Sequence, residues 1–263
     1  MAQPSDNLPF DIPGDLPRAT GLLVASAVGG EGKTVIAAAI ARSLRSDGHD
    51  VEVFLPIATG CRTDRGGLVS DSADILAACA ESRRTLAEIS PVRLASSQAP
   101  AASAAIGGPG VDLGAIFDAW RGLVAGSECV VVEAPGGLAS PITDDSRTVD
   151  LAESLALPVV LVVKAEPNAL ARAMLAVDVA NSHGLVLAGC VLNCFTGDSA
   201  GDEPTDENLR SLPVVLERVA GLKTLALVPR DSANNIPAGR IASSTCFAID
   251  QVRWDALWTR AKR

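Results

Sequence analysis

The chain has 263 residues, 48% of them hydrophobic and only 3% aromatic, and its 31 acidic residues outnumber 22 lysines and arginines for a formal net charge of −9. That balance leaves no basic footprint, so nucleic acid and anionic membrane surfaces are excluded as partners on electrostatic grounds. No apolar stretch reaches the length of a membrane span, and the first residues combine acids with prolines, so a cytoplasmic protein is expected.

In chain order, residues 1–18 hold four prolines and no hydrophobic period, and are read as a loose tail ahead of one domain over 19–263. Leu22 to Ala25 is an apolar run of the kind that forms a buried strand, and Val35 to Leu44 carries apolar residues at helical spacing. Between them lies Ala27-Val28-Gly29-Gly30-Glu31-Gly32-Lys33-Thr34. A glycine-rich turn between a strand and a helix brings backbone N–H groups and the positive helix end to bear on an anion, so this segment is read as a phosphate loop. Lys33 would neutralise phosphate from the solvent side, and the Thr34 hydroxyl would bind Mg²⁺. The usual pattern GxxxxGK[ST] places glycine where Ala27 stands, a departure of one methyl group.

Val51 to Leu55 predicts the next strand, Gly60 to Ser70 a polar connection, and Ser72 to Ala80 a helix. A mobile loop is expected over 96–110, a helix over Val111 to Val124, and a strand over Cys129 to Val132 followed by a turn at Gly136-Gly137. Leu157 to Val163 is continuously apolar, as in strands covered on both faces. A helix over Asn168 to Asn181, a strand over Leu185 to Leu192, a helix over Leu212 to Val219 and a strand over Thr224 to Val228 complete the alternation, with the acidic stretch Asp198 to Glu207 read as a solvated loop. Strands alternating with helices imply a single-domain α/β fold of the P-loop NTPase kind, with a mostly parallel sheet flanked by helices on both faces. Six scattered cysteines are read as reduced and mostly buried, and His49 and His183, each beside a glycine in a helix-to-strand turn, do not make convincing bases.

Ligands of open parallel sheets sit beyond the carboxyl ends of the strands. The residues to inspect there are the phosphate loop, Leu55 to Gly60, Glu133 to Gly137, Lys164 to Asn168, and Asn193. Glu133 ends an apolar strand and is either a Mg²⁺-side carboxylate or an ordinary strand-end acid. Asp74 is either a second metal carboxylate or a charge stabilised by the start of its helix.

The order and spacing of these segments resemble the dethiobiotin synthetase family from about Leu22 to Arg230. The family's GTDTGVGKT is met by Ser26 to Thr34 (SAVGGEGKT), its KPVxSG by Leu55 to Gly60 (LPIATG), and its SDA by Ser72-Ala73-Asp74. Its VEGAGG is met by Val132 to Gly137 (VEAPGG), its LPVxLVV by Leu157 to Val163, and its AGxVxN by Ala188 to Asn193. The resemblance implies a Mg²⁺-dependent enzyme in which ATP drives closure of a ureido ring from 7,8-diaminononanoate and CO₂, acting as a homodimer. It assigns catalytic roles to Lys33 and Thr59, nucleotide contacts to Gly29, Gly30, Glu31, Gly32, Lys33, Thr34, Glu133, Gly136 and Asn193, and the metal to Thr34, Asp74 and Glu133. Two positions depart from the pattern. Leu55 stands where the family has its active-site lysine, with Arg62, Arg65 and Lys164 as the cations available to replace it, and Pro167 to Arg172 (PNALAR) stands for the family's LGxINH. The loop also looks like the KGGxGKT of chromosome-partitioning and division-site ATPases, except that Val28 occupies the position of their signature lysine.

Overall fold

The computed structural model describes residues 16–195 and 207–258. Strand β1 (Gly21–Ser26) runs into helix α1 (Lys33–Ser46), and β2 (Val51–Phe54) follows. The next connection folds into β3 (Ile57–Ala58), the hairpin β4 (Arg62–Asp64) and β5 (Gly67–Val69), α2 (Asp71–Ala80), α3 (Leu86–Ile89), β6 (Val92–Arg93) and α4 (Pro100–Ala105). Then come α5 (Leu113–Val124), β7 (Cys129–Glu133), α6 (Thr148–Leu155), β8 (Val159–Lys164), α7 (Ala169–Ser182) and β9 (Leu187–Asn193). The described chain ends with α8 (Glu207–Arg210), α9 (Leu212–Ala220), β10 (Thr224–Leu227), α10 (Ser243–Asp250) and α11 (Asp255–Trp258).

The main sheet has the order β10-β9-β8-β1-β7-β2, and every neighbouring pair is parallel. Alternation along β1 explains the two-sided core. Leu23 and Ala25 join a cluster with Phe54, Trp120 and Leu161, while Leu22 and Val24 join one on the opposite face with Ile36, Ile40 and Trp254. Because β1 is central, the loop that follows it is flanked by the ends of β7 and β8. Helix α1 is buried around most of its circumference, from Ile36 to Ala41, since α2 and α10 cover the side turned away from the sheet. Its run of alanines permits that close approach. Ser70 caps α2, its hydroxyl oxygen accepting the Ala73 N–H at 3.2 Å, and Asp112 caps α5 in the same manner.

Several expectations are corrected here. The 96–110 segment, read as an irregular loop, contains α4, whose first position is Pro100, where a missing N–H costs nothing. Residues 16–19, the end of the expected tail and its junction, pack on the domain through Leu16 and Ala19, and Trp120 Nε1–H donates to the Pro17 carbonyl at 3.2 Å. Residues 1–15 and most of the acidic 198–207 stretch lie outside the described residues, while Glu207 opens α8. All six cysteines are free thiols. Burial pushes Cys129 up to about 12 and Cys190 up to about 11, which leaves both un-ionised and inert at neutral pH. Among the described residues no helix is long and apolar enough to cross a membrane.

Candidate functional site

The phosphate loop leaves β1 at Ser26 and turns back into α1 through Gly30 (φ 80°) and Gly32 (φ 92°). These are left-handed conformations that favour glycine. At Gly32 there is a second reason, because a Cβ there would lie 2.1 Å from Asn193 Nδ2. Gly137, in the turn after β7, backs onto the same loop, and a Cβ there would stand 2.1 Å from the Ala27 carbonyl oxygen. Gly32 caps α1 without any side-chain hydrogen bond, so no side chain competes for the first-turn N–H groups.

Lys33, expected on the solvent side, is 6% exposed, and this is a correction. Its Nζ folds back over the end of β1 and donates to Ser26 Oγ at 2.9 Å. Burial pulls its pKa down, against the opposing charges of Glu133 and Glu31. The Thr34 hydroxyl donates to Glu133 Oε1 at 2.7 Å. Glu133 is buried at the end of β7, and desolvation raises its pKa against the pull of Lys33 and the Thr34 hydroxyl. Its Oε2 is buried and, among the described residues, has no hydrogen-bond partner. A buried carboxylate oxygen without a donor, beside a hydroxyl and a lysine, fits a hard cation such as Mg²⁺, whose ligands are oxygens.

Above this floor opens a cavity of about 380 Å³. Gly29, Gly30, Lys33 and Thr34 form one part of its lining and Glu133, Pro135, Gly136 and Ser140 a second. The remaining wall is Leu55, Ile57, Thr59, Ser70 and Ser72, closed over by Ser97, Gln98 and Pro100. Among the described residues, Lys33 and Glu133 are the only charged ones in this lining. The three cations available to replace the family lysine do not line it. Arg62 is held on the exposed hairpin by Asp71 at 2.9 Å and Asp64 at 3.3 Å, Arg65 is exposed, and Lys164 pairs with Glu166 at 2.8 Å.

Of the expected site residues, Glu31, Gly32, Asp74 and Asn193 do not line this cavity, and Asp74 is the one that stands away from the phosphate loop altogether. It is exposed on α2 and absent from the lining, whereas Ser72 lines it with its hydroxyl 3.5 Å from Thr34 Oγ1. The reason is helical register: two residues along α2 is about 200° around the axis, so Ser72 and Asp74 face opposite ways. The Ser70 cap fixes that register, and a reading anchored on the cap would have found Ser72. Ser97, Gln98 and Ser140 were also missed, because nothing in their local sequence distinguishes them from other loop residues.

Asn193 lies on the other side of the phosphate loop. Its Nδ2 donates to the Glu31 carbonyl at 2.8 Å, and it lines a second cavity of about 530 Å³ with Val35, Arg230 and Asn234. The histidines stand apart from both cavities. His183, at the end of α7, has Asp150 and Glu153 near its Nδ1, at 3.5 and 3.1 Å, and the Arg147 guanidinium 2.9 Å from its Nε2. Arginine can only donate, so Nε2 accepts and the Nδ1 proton faces the carboxylates, where Glu153 Oε2 takes the hydrogen bond.

A parallel sheet with β1 at its centre, a glycine loop opening α1, and a Lys-Thr-Glu set at the strand ends with its lysine and glutamate buried define a P-loop NTPase. A family model described as an AAA domain matches residues 20–235. The ATP-dependent dethiobiotin synthetase BioD of Anaeromyxobacter sp. (strain Fw109-5) is 32% identical over 206 residues, 78% of this chain and 88% of that protein. The protein of the same name from Aromatoleum aromaticum is 34% identical over 181 residues, 69% of this chain and 79% of its own length. The chain belongs to the dethiobiotin synthetase family. Among solved structures, the septum site-determining protein MinD from Pyrococcus horikoshii, complexed with Mg-ADP, superposes with a TM-score of 0.53 at 18% identity, covering 92% of this chain and 96% of its own. A ParA family ATPase from Chlorobium tepidum gives 0.54 at 19% identity, with 90% and 99% covered. Likeness at that level of identity shows a shared fold.

Proposed function

We propose that this protein is an ATP- and Mg²⁺-dependent carbon–nitrogen ligase that closes the ureido ring of dethiobiotin from 7,8-diaminononanoate and CO₂. The observation that carries the reading is the Lys33-Thr34-Glu133 set, its lysine and glutamate buried, at the floor of a cavity large enough for a second substrate. One amine takes up CO₂ as a carbamate, the carbamate oxygen attacks the γ-phosphorus of ATP and expels ADP, and the second amine displaces phosphate from the resulting mixed anhydride, losing a proton as the ring closes. Lys33 and the loop N–H groups hold the phosphates, while the hydroxyls of Thr59, Ser72 and Ser140 are placed to orient the neutral parts of the substrate. Thr34 and Glu133 would hold Mg²⁺, which when bound would supply positive charge against the transferred phosphoryl group. The base is expected in the second cavity, beside Asn193. Following the family, we propose a C2 homodimer with residues 164–168 near its interface, acting in the cytoplasm.

A second reading has its own observation. Leu55, in the cavity wall and 4% exposed, leaves that wall without a cation. One donor placed against developing charge is worth about 3 to 4 kcal/mol, so its loss slows chemistry far more than it weakens ATP binding. This reading makes the protein a catalytically weakened member of the family. Incubating it with diaminononanoate, bicarbonate and MgATP while following both phosphate and dethiobiotin separates the cases. Equal release of the two products supports the ligase. Tight MgATP binding with neither product supports the weakened member, and phosphate without dethiobiotin points to an ATPase switch.

A further inference from the structure

Two residues of this site occupy places that local physics disfavours. Glu31 puts an acid inside a loop whose ligand is an anion, and it is 2% exposed. Arg172 puts a cation in the first turn of α7, at the positive end of the helix. Each explains the other. Arg172 Nε lies 2.9 Å from Glu31 Oε1, an ion pair across the gap between the phosphate loop and α7, and the backbone N–H of Lys164 donates to Glu31 Oε2. The Glu31 carbonyl meanwhile accepts from Asn193 Nδ2 at 2.8 Å. Residue 31 is thereby fastened to the ends of β8 and β9 as well as to α7. The guanidinium has further work: NH2 donates to the Lys164 carbonyl at 3.1 Å and lies 3.2 Å from Glu166 Oε1, and NH1 donates to the Pro167 carbonyl at 3.3 Å.

The fastening matters because the tip of the loop is unsupported. Among the described residues nothing lies within 4 Å of where a Cβ would stand at Gly29 or Gly30, so side-chain packing does not fix the N–H groups there. A phosphate-binding loop acts through preorganised donors, and a loop of glycines needs an anchor at one end to supply them.

We propose that Glu31 and Arg172 are a positioning pair: the ion pair holds the phosphate loop in its anion-binding shape, and Arg172 cancels the negative charge that Glu31 would otherwise set against the phosphates. This rests on the nucleotide-site reading above. A buried pair broken from one side leaves an uncompensated charge, whereas removing both partners does not, and that asymmetry provides the test.

The experiment is a double-mutant cycle on the full chain, read as MgADP affinity by calorimetry together with KM and kcat for ATP. Arg172→Met is expected to weaken MgADP at least tenfold and to raise KM for ATP more than it lowers kcat. In the Glu31→Gln background the same substitution is expected to cost less than threefold. If Arg172→Met does not fold, Arg172→Gln carries the same cycle. A tenfold loss in both backgrounds overturns the pairing, and wild-type affinity in Arg172→Met, even with a lowered Tm, overturns the positioning role. A wild-type protein that binds no MgADP overturns the nucleotide-site reading and this proposal with it. Tight wild-type binding that is indifferent to Arg172 overturns this proposal alone.

Discussion

The cavity has two walls of opposite chemical character. On the side of β1 and β7, Lys33 and Glu133 are buried and charged, and the half-buried Thr34 donates to Glu133 Oε1, with the other carboxylate oxygen left for a cation. On the side of β2 and α2, Leu55, Ile57, Thr59, Ser70 and Ser72 offer methyls and hydroxyls, and no charge. On the proposed function the first wall binds the polyphosphate and a metal, and the second distinguishes and activates the other substrate, where Leu55 departs from the family pattern. That proposal makes nucleotide binding and chemistry separable, so substitutions on the two walls should fall into different classes.

The sharpest break is Lys33→Ala. It removes the one cation of the charged wall, and turnover should fall about 10²- to 10³-fold with MgATP binding weakened in parallel, as read by steady-state kinetics and calorimetry. Unaltered binding would remove the charged wall from the nucleotide site. Leu55→Lys tests the neutral wall in the opposite direction. If chemistry there lacks a cation, dethiobiotin formation should rise about 10²-fold with little change in ATP affinity, although a lysine at a buried position should lower Tm. A rate that stays the same or drops would show that the wild-type wall is already competent.

Smaller effects sharpen the metal assignment. Glu133→Gln should raise the Mg²⁺ concentration for half-maximal nucleotide binding on the order of tenfold or more. Ser72→Ala should raise it roughly threefold, the effect of one hydroxyl contact. Asp74→Asn, on the outward face of α2, should leave the Mg²⁺ titration where it was. A shift for Asp74→Asn as large as that for Glu133→Gln would mean that α2 presents a different face when nucleotide is bound.

The charged wall was legible in the sequence because its residues sit in local patterns: an apolar strand, a glycine turn and a helix start placed Lys33 and Thr34, and an apolar run ending in an acid placed Glu133. The parallel sheet was legible for the same reason, each strand being a short apolar run of its own. What escaped was set by contacts between distant segments. Lys33 was expected toward solvent because nothing local says that its ammonium folds onto Ser26. The resemblance assigns the metal to Asp74 and not to Ser72 because matching a three-residue motif takes no account of helical register. Glu31 and Arg172 were each noted, but their connection exists only once α7 packs beside the phosphate loop.

The position of β1 has a further consequence. Its six residues are all buried, and the phosphate loop continues directly from it. The amides of β1 should exchange hydrogen only through global unfolding, since no smaller opening exposes a strand with neighbours on both sides. Ligand energy delivered at the loop is therefore felt by the whole domain. A nucleotide at a hundred times its Kd would add about 2.7 kcal/mol to the stability of the entire fold. Cellular lifetime would then follow the nucleotide pool, and the unliganded chain would be the form offered to proteases.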